Sequence, residues 1–136
     1  MAKEFNYRLI ASLQIITAVG LALFWVAFFT VGMTPLNPPA CYFVYEHALP
    51  LPSGLLALLL LAAGIMLMKN SSLALKLSLV AAGGLIFLGL LDFSFNLQNG
   101  IYMASSVDLV LSALLDLWCT GLGLATAAII IRSSSL

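Results

Sequence analysis

Residues 9–31 read LIASLQIITAVGLALFWVAFFTV, and no charged side chain occurs between Arg8 and Glu46. A helix rises about 1.5 Å per residue, so this run is long enough to cross the roughly 30 Å hydrocarbon core of a bilayer. Residues 73–91 and 107–131 repeat the pattern, the last broken only by Asp116. A shorter run, 55–68, opens behind Pro52, Ser53 and Gly54. It fits a span only if the helix begins in the interface near Pro50 or stands nearly upright. Within it, residues 55–61 read LLALLLL, with no alternation of apolar and polar side chains. Barrel strands alternate over about ten residues, so a barrel is excluded, and in lipid such a backbone is satisfied only as a helix. The expected fold is an all-α integral membrane protein, a four-transmembrane-helix up-down bundle with both termini cytoplasmic. It forms a single membrane domain over residues 1–136, with spans near 9–32, 52–68, 73–92 and 107–131 and connections at 33–51 and 93–106.

Composition supports this reading. Of the 136 residues, 63% are hydrophobic and 7% charged, with five Lys or Arg against five Asp or Glu. Soluble domains carry about 25% charged residues, so a water-soluble monomer is excluded, and the apolar content excludes disorder. There is no basic footprint for nucleic acid. A cleaved signal peptide is a poor account of the first run, because its apolar core is too long and residues 34–39, TPLNPP, form a stop and turn. The first helix is therefore expected in the mature protein.

The charges sort along the chain. Lys3 and Arg8 precede the first span, Lys69 and Lys76 flank the short turn between the second and third, and Arg132 follows the fourth. All five fall on one side if both termini are cytoplasmic, as the positive-inside rule expects. The expected location is an integral membrane protein of a bacterial inner (plasma) membrane. The sequon Asn70-Ser71-Ser72 then lies in the cytoplasm and carries no meaning.

The acids show the opposite asymmetry. Glu46 lies in the first outer connection, with His47 beside it; Asp92 ends the third span, Asp108 starts the fourth, and Asp116 lies two turns deeper. An acid at that depth is paired or faces a wet cavity, and is a functional-site candidate by default. Asp108, Ser112 and Cys119 fall within about 40° of one another on a helix, with Asp116 and Gly123 nearby. Gly89, Asp92 and Asn96 form a second stripe at i, i+3 and i+7. The two stripes are expected to face each other across an outward-open acidic pocket; Tyr102 and the amides around Asn99-Gly100 suit recognition of a polar head group or sugar or, the favoured reading, satisfy backbone groups at a helix end. The pocket's candidate residues are Asp116, Asp92, Glu46, His47, Asn96, Asp108, Ser112 and Tyr102; no catalytic residue is assigned.

Each has a plainer reading. Asp116 can be protonated and bonded to a hydroxyl such as Thr30 or Ser112, fixing only packing. Asp108, after Ser105-Ser106, suits a helix N-terminus, and this is the favoured reading for it. Asp92 can likewise be an interfacial cap. His47 is the only histidine; no second His or paired Cys completes a metal set, so no metal is expected. Cys41 and Cys119 differ in depth and are not expected to pair. Gly64, Gly83, Gly84, Gly89, Gly121 and Gly123 point to close helix packing, within the bundle or between copies. Gln14, with Thr17 and Gly20, is the one amide of the first span and needs a partner inside the bundle.

No phosphate loop, dinucleotide fingerprint, bis-histidine pair or mid-membrane lysine is present, so no cofactor is expected. Three classes remain. The favoured one is a non-enzymatic subunit, scaffold or ligand-binding protein with an acidic outward-facing pocket. The runner-up is a small transporter or channel for a proton, cation or small solute using Asp116. The third is a membrane-embedded enzyme acting on a lipid-like substrate through paired carboxylates. The expected partners are the lipid bilayer, further copies of the chain or a larger membrane complex, and a lipid or small-molecule ligand, with no nucleic acid.

Overall fold

The computed structural model describes residues 2–134. Among them it is all-helical: α1 (Ala2–Thr30), α2 (Tyr42–Ala48), α3 (Pro50–Met68), α4 (Ser72–Gln98), a 3-10 turn at Ile101–Met103, and α5 (Ser106–Ser134). Four segments are long and apolar enough to cross a membrane, α2 and α3 counting together as one. Their outer surface is apolar all round: Leu23, Leu58, Phe87 and Leu117 are each more than half exposed. Such a belt is untenable in water and natural against acyl chains.

The helix ends follow from local chemistry. α1 stops at Thr30, where Gly32 turns left-handed at φ 79° and its N–H reaches back to the Ala27 carbonyl, a terminus that glycine forms without Cβ strain. α2 runs almost directly into α3. Pro50 lacks an N–H and tolerates only the first turn of a helix, so the path breaks at Leu49 and restarts there. The α3–α4 turn is three residues long, with Asn70 at φ 57° and Ser71 N–H bonded to Met66 O, a Schellman-type closure.

The helices overrun the expected spans: α1 begins at Ala2 against an expected 9, and α5 ends at Ser134 against 131. α4 continues to Gln98, past the expected exit at 92, before Gly100 turns left-handed at φ 70°. Asn96 is therefore within the helix. Polar side chains at 92–98 mark a change of surroundings, not the end of backbone hydrogen bonding, and the turn waits for Asn99-Gly100. The connection at 33–51 also contains a helix, α2, which lies over one end of the bundle with Tyr42 and Leu49 buried.

Consecutive long helices pack against one another, α1 on α3, α3 on α4 and α4 on α5, while α5 meets α1 only sparsely. Close approach is made by small residues. A Cβ on Gly64 would lie 2.9 Å from Ala11 O, and one on Gly123 would lie 2.7 Å from Ala82 O. Gly84 receives Leu56, and Gly89 receives the Asp116 carbonyl and Thr120. Gly83 and Gly121, by contrast, have open space beside them. Leu60, Ala81, Leu85, Cys119 and Leu122 form the central core. Gln14 finds its partner there: buried Ser78 Oγ donates to Gln14 Oε1 at 3.3 Å.

The bundle has two unlike ends. The termini and the α3–α4 turn share the basic end, where the Tyr7 and Ser133 hydroxyls bond at 2.6 Å. The 31–49 segment and the 99–105 turn form the acidic end.

Candidate functional site

At the acidic end α1 and α5 part around a cavity of about 700 Å³. α1 contributes Thr17, Gly20, Phe24 and Trp25; α5 contributes Asp108, Ser112, Asp116, Trp118 and Cys119; α2 and α4 close the far side with Tyr42, Glu46, Asp92 and Asn96. In its wall Trp118 Nε1 of α5 donates to Thr17 Oγ1 of α1 at 2.9 Å. Thr17 in turn donates to Leu13 O at 2.7 Å, so its one proton is committed.

Asp116 is buried, 5% exposed. Its partners are neither Thr30 nor Ser112. Asn96 Nδ2 donates to Asp116 Oδ2 at 3.1 Å, and the Tyr102 hydroxyl donates to the same oxygen. Thr30 donates instead to Val26 O within its own helix. Asp116 also borders a second cavity of about 460 Å³ on the other flank, between α4 and α5, with Tyr102, Phe93 and Thr120. One carboxylate thus lies between two cavities.

Asp92 accepts from the Tyr45 hydroxyl. The Tyr45 ring lies flat on Phe95, with centroids 3.8 Å apart and planes 4° from parallel. These two contacts tie α2 to α4 and bring Glu46 to the cavity wall. Asp108 has a different task. Ser105 Oγ accepts from Asp108 N–H at 3.0 Å and donates to Asp108 Oδ2 at 2.7 Å, a reciprocal cap at the start of α5. Leu36 N–H donates to the same carboxylate at 3.1 Å, pinning the 31–41 loop.

His47 does not line the cavity. It is exposed, its Nδ1 lies 2.6 Å from Phe43 O, and its ring meets Phe28 and Phe29 edge-on. The register of α2 turns it away from the wall that Glu46 joins. Tyr102, in the 3-10 turn, is half-buried; burial and then the Asp116 carboxylate push its hydroxyl above the ordinary tyrosine value. Cys41 and Cys119 are unpaired; Cys41 donates to Asn99 Oδ1 at 3.3 Å.

The stripes on α4 and α5 therefore meet, through Asn96 and Asp116. Residues outside the candidate set complete the site: Tyr45, Phe24, Trp25 and Trp118. The aromatics at 42–45 read as interface anchors, and only the folding of α2 over the bundle turns Tyr45 inward. Trp25 Nε1 is shielded from solvent and has no hydrogen-bond partner.

Among the described residues, the cavity is lined by no Lys, Arg or His, and no three His, Cys, Asp or Glu side chains gather closely enough to hold a metal ion. The arrangement suits a polyatomic guest with an apolar body and a hydrogen-bond-donating head. Comparisons with protein-family models, curated proteins and solved structures give no match to this chain.

Proposed function

We propose that this chain is a non-enzymatic ligand-binding membrane protein whose acidic-end cavity takes an amphiphilic molecule directly from the bilayer. The observation that carries this reading is the cavity of about 700 Å³, mostly apolar along α1 and carboxylate-bearing where Glu46, Asp92, Asp108 and Asp116 line it. Small-molecule sites have volumes of about 300–1,000 Å³, mostly apolar walls and a few placed polar groups. The part-opened α1–α5 seam supports access from the lipid side. The basic end faces the cytoplasm and the cavity opens to the opposite leaflet, in keeping with five basic residues at one end of the bundle. Gly83 and Gly121, with open space beside them, leave small-residue surface for a second copy or a larger membrane complex.

The test is extraction in a mild detergent followed by mass measurement of the intact particle. A retained small molecule is expected, and Gly20→Leu should diminish it, because Gly20 lines the cavity with no atom within 4 Å of its would-be Cβ. A particle that carries nothing, and binds no added amphiphile, overturns the reading. For orientation, exposed Cys41 should react with an impermeant thiol reagent on intact cells and Ser71→Cys should not; the reverse pattern inverts the topology.

A second reading, a small transporter, is favoured by one observation: Asp116 borders cavities on both flanks. In that case Asp116→Asn abolishes a measured flux while the fold persists. Under the binding reading the amide keeps most of the packing.

A further inference from the structure

Resting on the ligand-binding reading, we infer that the occupant of the large cavity is an organic cation: an alkylammonium or quaternary-ammonium head on an apolar body. The first ground is charge. Glu46, Asp92, Asp108 and Asp116 all border the cavity, Asp108 already engaged in the cap of α5, and no basic side chain among the described residues does. Lys3, Arg8, Lys69, Lys76 and Arg132 sit at the far end of the bundle, and exposed His47 packs against Phe28 and Phe29 instead. In a low-dielectric setting unpaired carboxylates must take up protons or a cation, and they repel a phosphate, sulfate or carboxylate head. No basic side chain compensates these charges within the wall, and a cationic guest is the occupant that would do so in place of protons.

The second ground is hydrogen-bond capacity. A carboxylate offers about four lone-pair directions. Asp116 receives Asn96 and Tyr102, and Asp92 receives Tyr45. Acceptor capacity remains for the N–H groups of an alkylammonium head, whereas a quaternary head, which has none, draws on charge and ring faces alone. The third ground is aromatic. Phe24, Trp25, Tyr42 and Trp118 border the same cavity, and ring faces attract organic cations, most strongly once the cation is desolvated.

The protein carries its own reporter, because its two tryptophans, Trp25 and Trp118, both line the cavity. The full chain, held in a neutral sugar detergent, is titrated with dodecyltrimethylammonium, dodecanol and dodecyl sulfate while tryptophan emission is read. The cation is expected to bind about tenfold or more tightly than the alcohol, the size of a desolvated cation–aromatic contact, and the sulfate more weakly than either. Glu46→Gln should narrow the gap between cation and alcohol, with helicity by circular dichroism unchanged; Asp92→Asn serves as a second such variant. Gly20→Leu should weaken all three probes. Equal binding of cation and alcohol overturns the cation assignment and leaves the amphiphile reading standing. Binding of none of the probes overturns both. Binding that Gly20→Leu does not affect places the probes outside the cavity and also counts against the proposal.

Discussion

The two ends of this bundle are made from the same four helices, yet α1 meets its neighbours differently at each, while α4 and α5 stay close along both through Gly123 and Gly89. Toward the basic end the contacts are small: Ala11 on Gly64, Ala82 on Gly123, with Ala74 and Ala81 fully buried. Small residues let backbones touch, and in lipid that close packing replaces the hydrophobic drive available in water. Toward the acidic end the same helices carry Phe24, Trp25, Phe28 and Trp118, and α1 and α5 are held apart. The closed end resembles a clamp and the open end a mouth. The difference teaches that a four-helix bundle can hold its shape from one half and leave the other half free to receive something.

If that division is right, substitutions should be costly at the closed end and mild at the mouth. The largest effect is expected for Gly123→Leu. Even its Cβ would lie 2.7 Å from Ala82 O and from Ile86 Cγ1, so backbone must move, at a cost of about 1–3 kcal/mol or more. Thermal unfolding in detergent should show a sharp fall. A stability unchanged from wild type would break the comparison.

Asp116→Leu comes next. It leaves Asn96 Nδ2 and the Tyr102 hydroxyl without their acceptor, about 1–3 kcal/mol for buried donors left unmade. Asp116→Asn keeps an acceptor oxygen and should lose clearly less in the same assay. Equal loss in the two variants would mean that charge, not hydrogen bonding, holds the site together.

Tyr45→Phe should cost about 1 kcal/mol and speed amide exchange in α2, since the hydroxyl bond to Asp92 ties that helix to α4. Slow exchange in α2 of the variant would show that Phe95 stacking alone suffices.

A pH effect should be confined to the mouth. Tyr102 holds its proton more tightly folded than unfolded, because it is half-buried and bonded to a carboxylate. Its contribution to stability is complete below about pH 10, the unfolded value, and is lost as pH rises toward the higher folded value. The unfolding midpoint of wild type should therefore fall more steeply above pH 10 than that of Tyr102→Phe. Parallel curves would remove Tyr102 from the account. The smallest effect is expected for Gly20→Ala: with nothing within 4 Å, it should be neutral or stabilising by up to about 1 kcal/mol.

Part of the site could be read before folding. Asp92 and Asn96 share a stripe because a helix returns to the same face every three to four residues, and Asp116 stands out because nothing local explains an acid at that depth. The cap formed by Ser105 and Asp108 is also local. His47 shows the limit of such reading. It neighbours Glu46 in sequence, yet one helical step turns it toward Phe28 and Phe29 while Glu46 reaches the cavity. Tyr45 shows the same limit from the other side: it looks like an interface anchor until α2 folds back and presents it to Asp92.

The chain by itself determined the class of fold, the four apolar helices and the sorting of charge, because transfer into lipid is summed residue by residue along a helix. Only the tertiary structure decided that α1 and α5 part at one end, that Asp116 is held by Asn96 and Tyr102, and that Glu46 shares a wall with it. Those are relations between residues distant in the chain. They are set by which helix faces pack closely, and hydropathy carries no record of that.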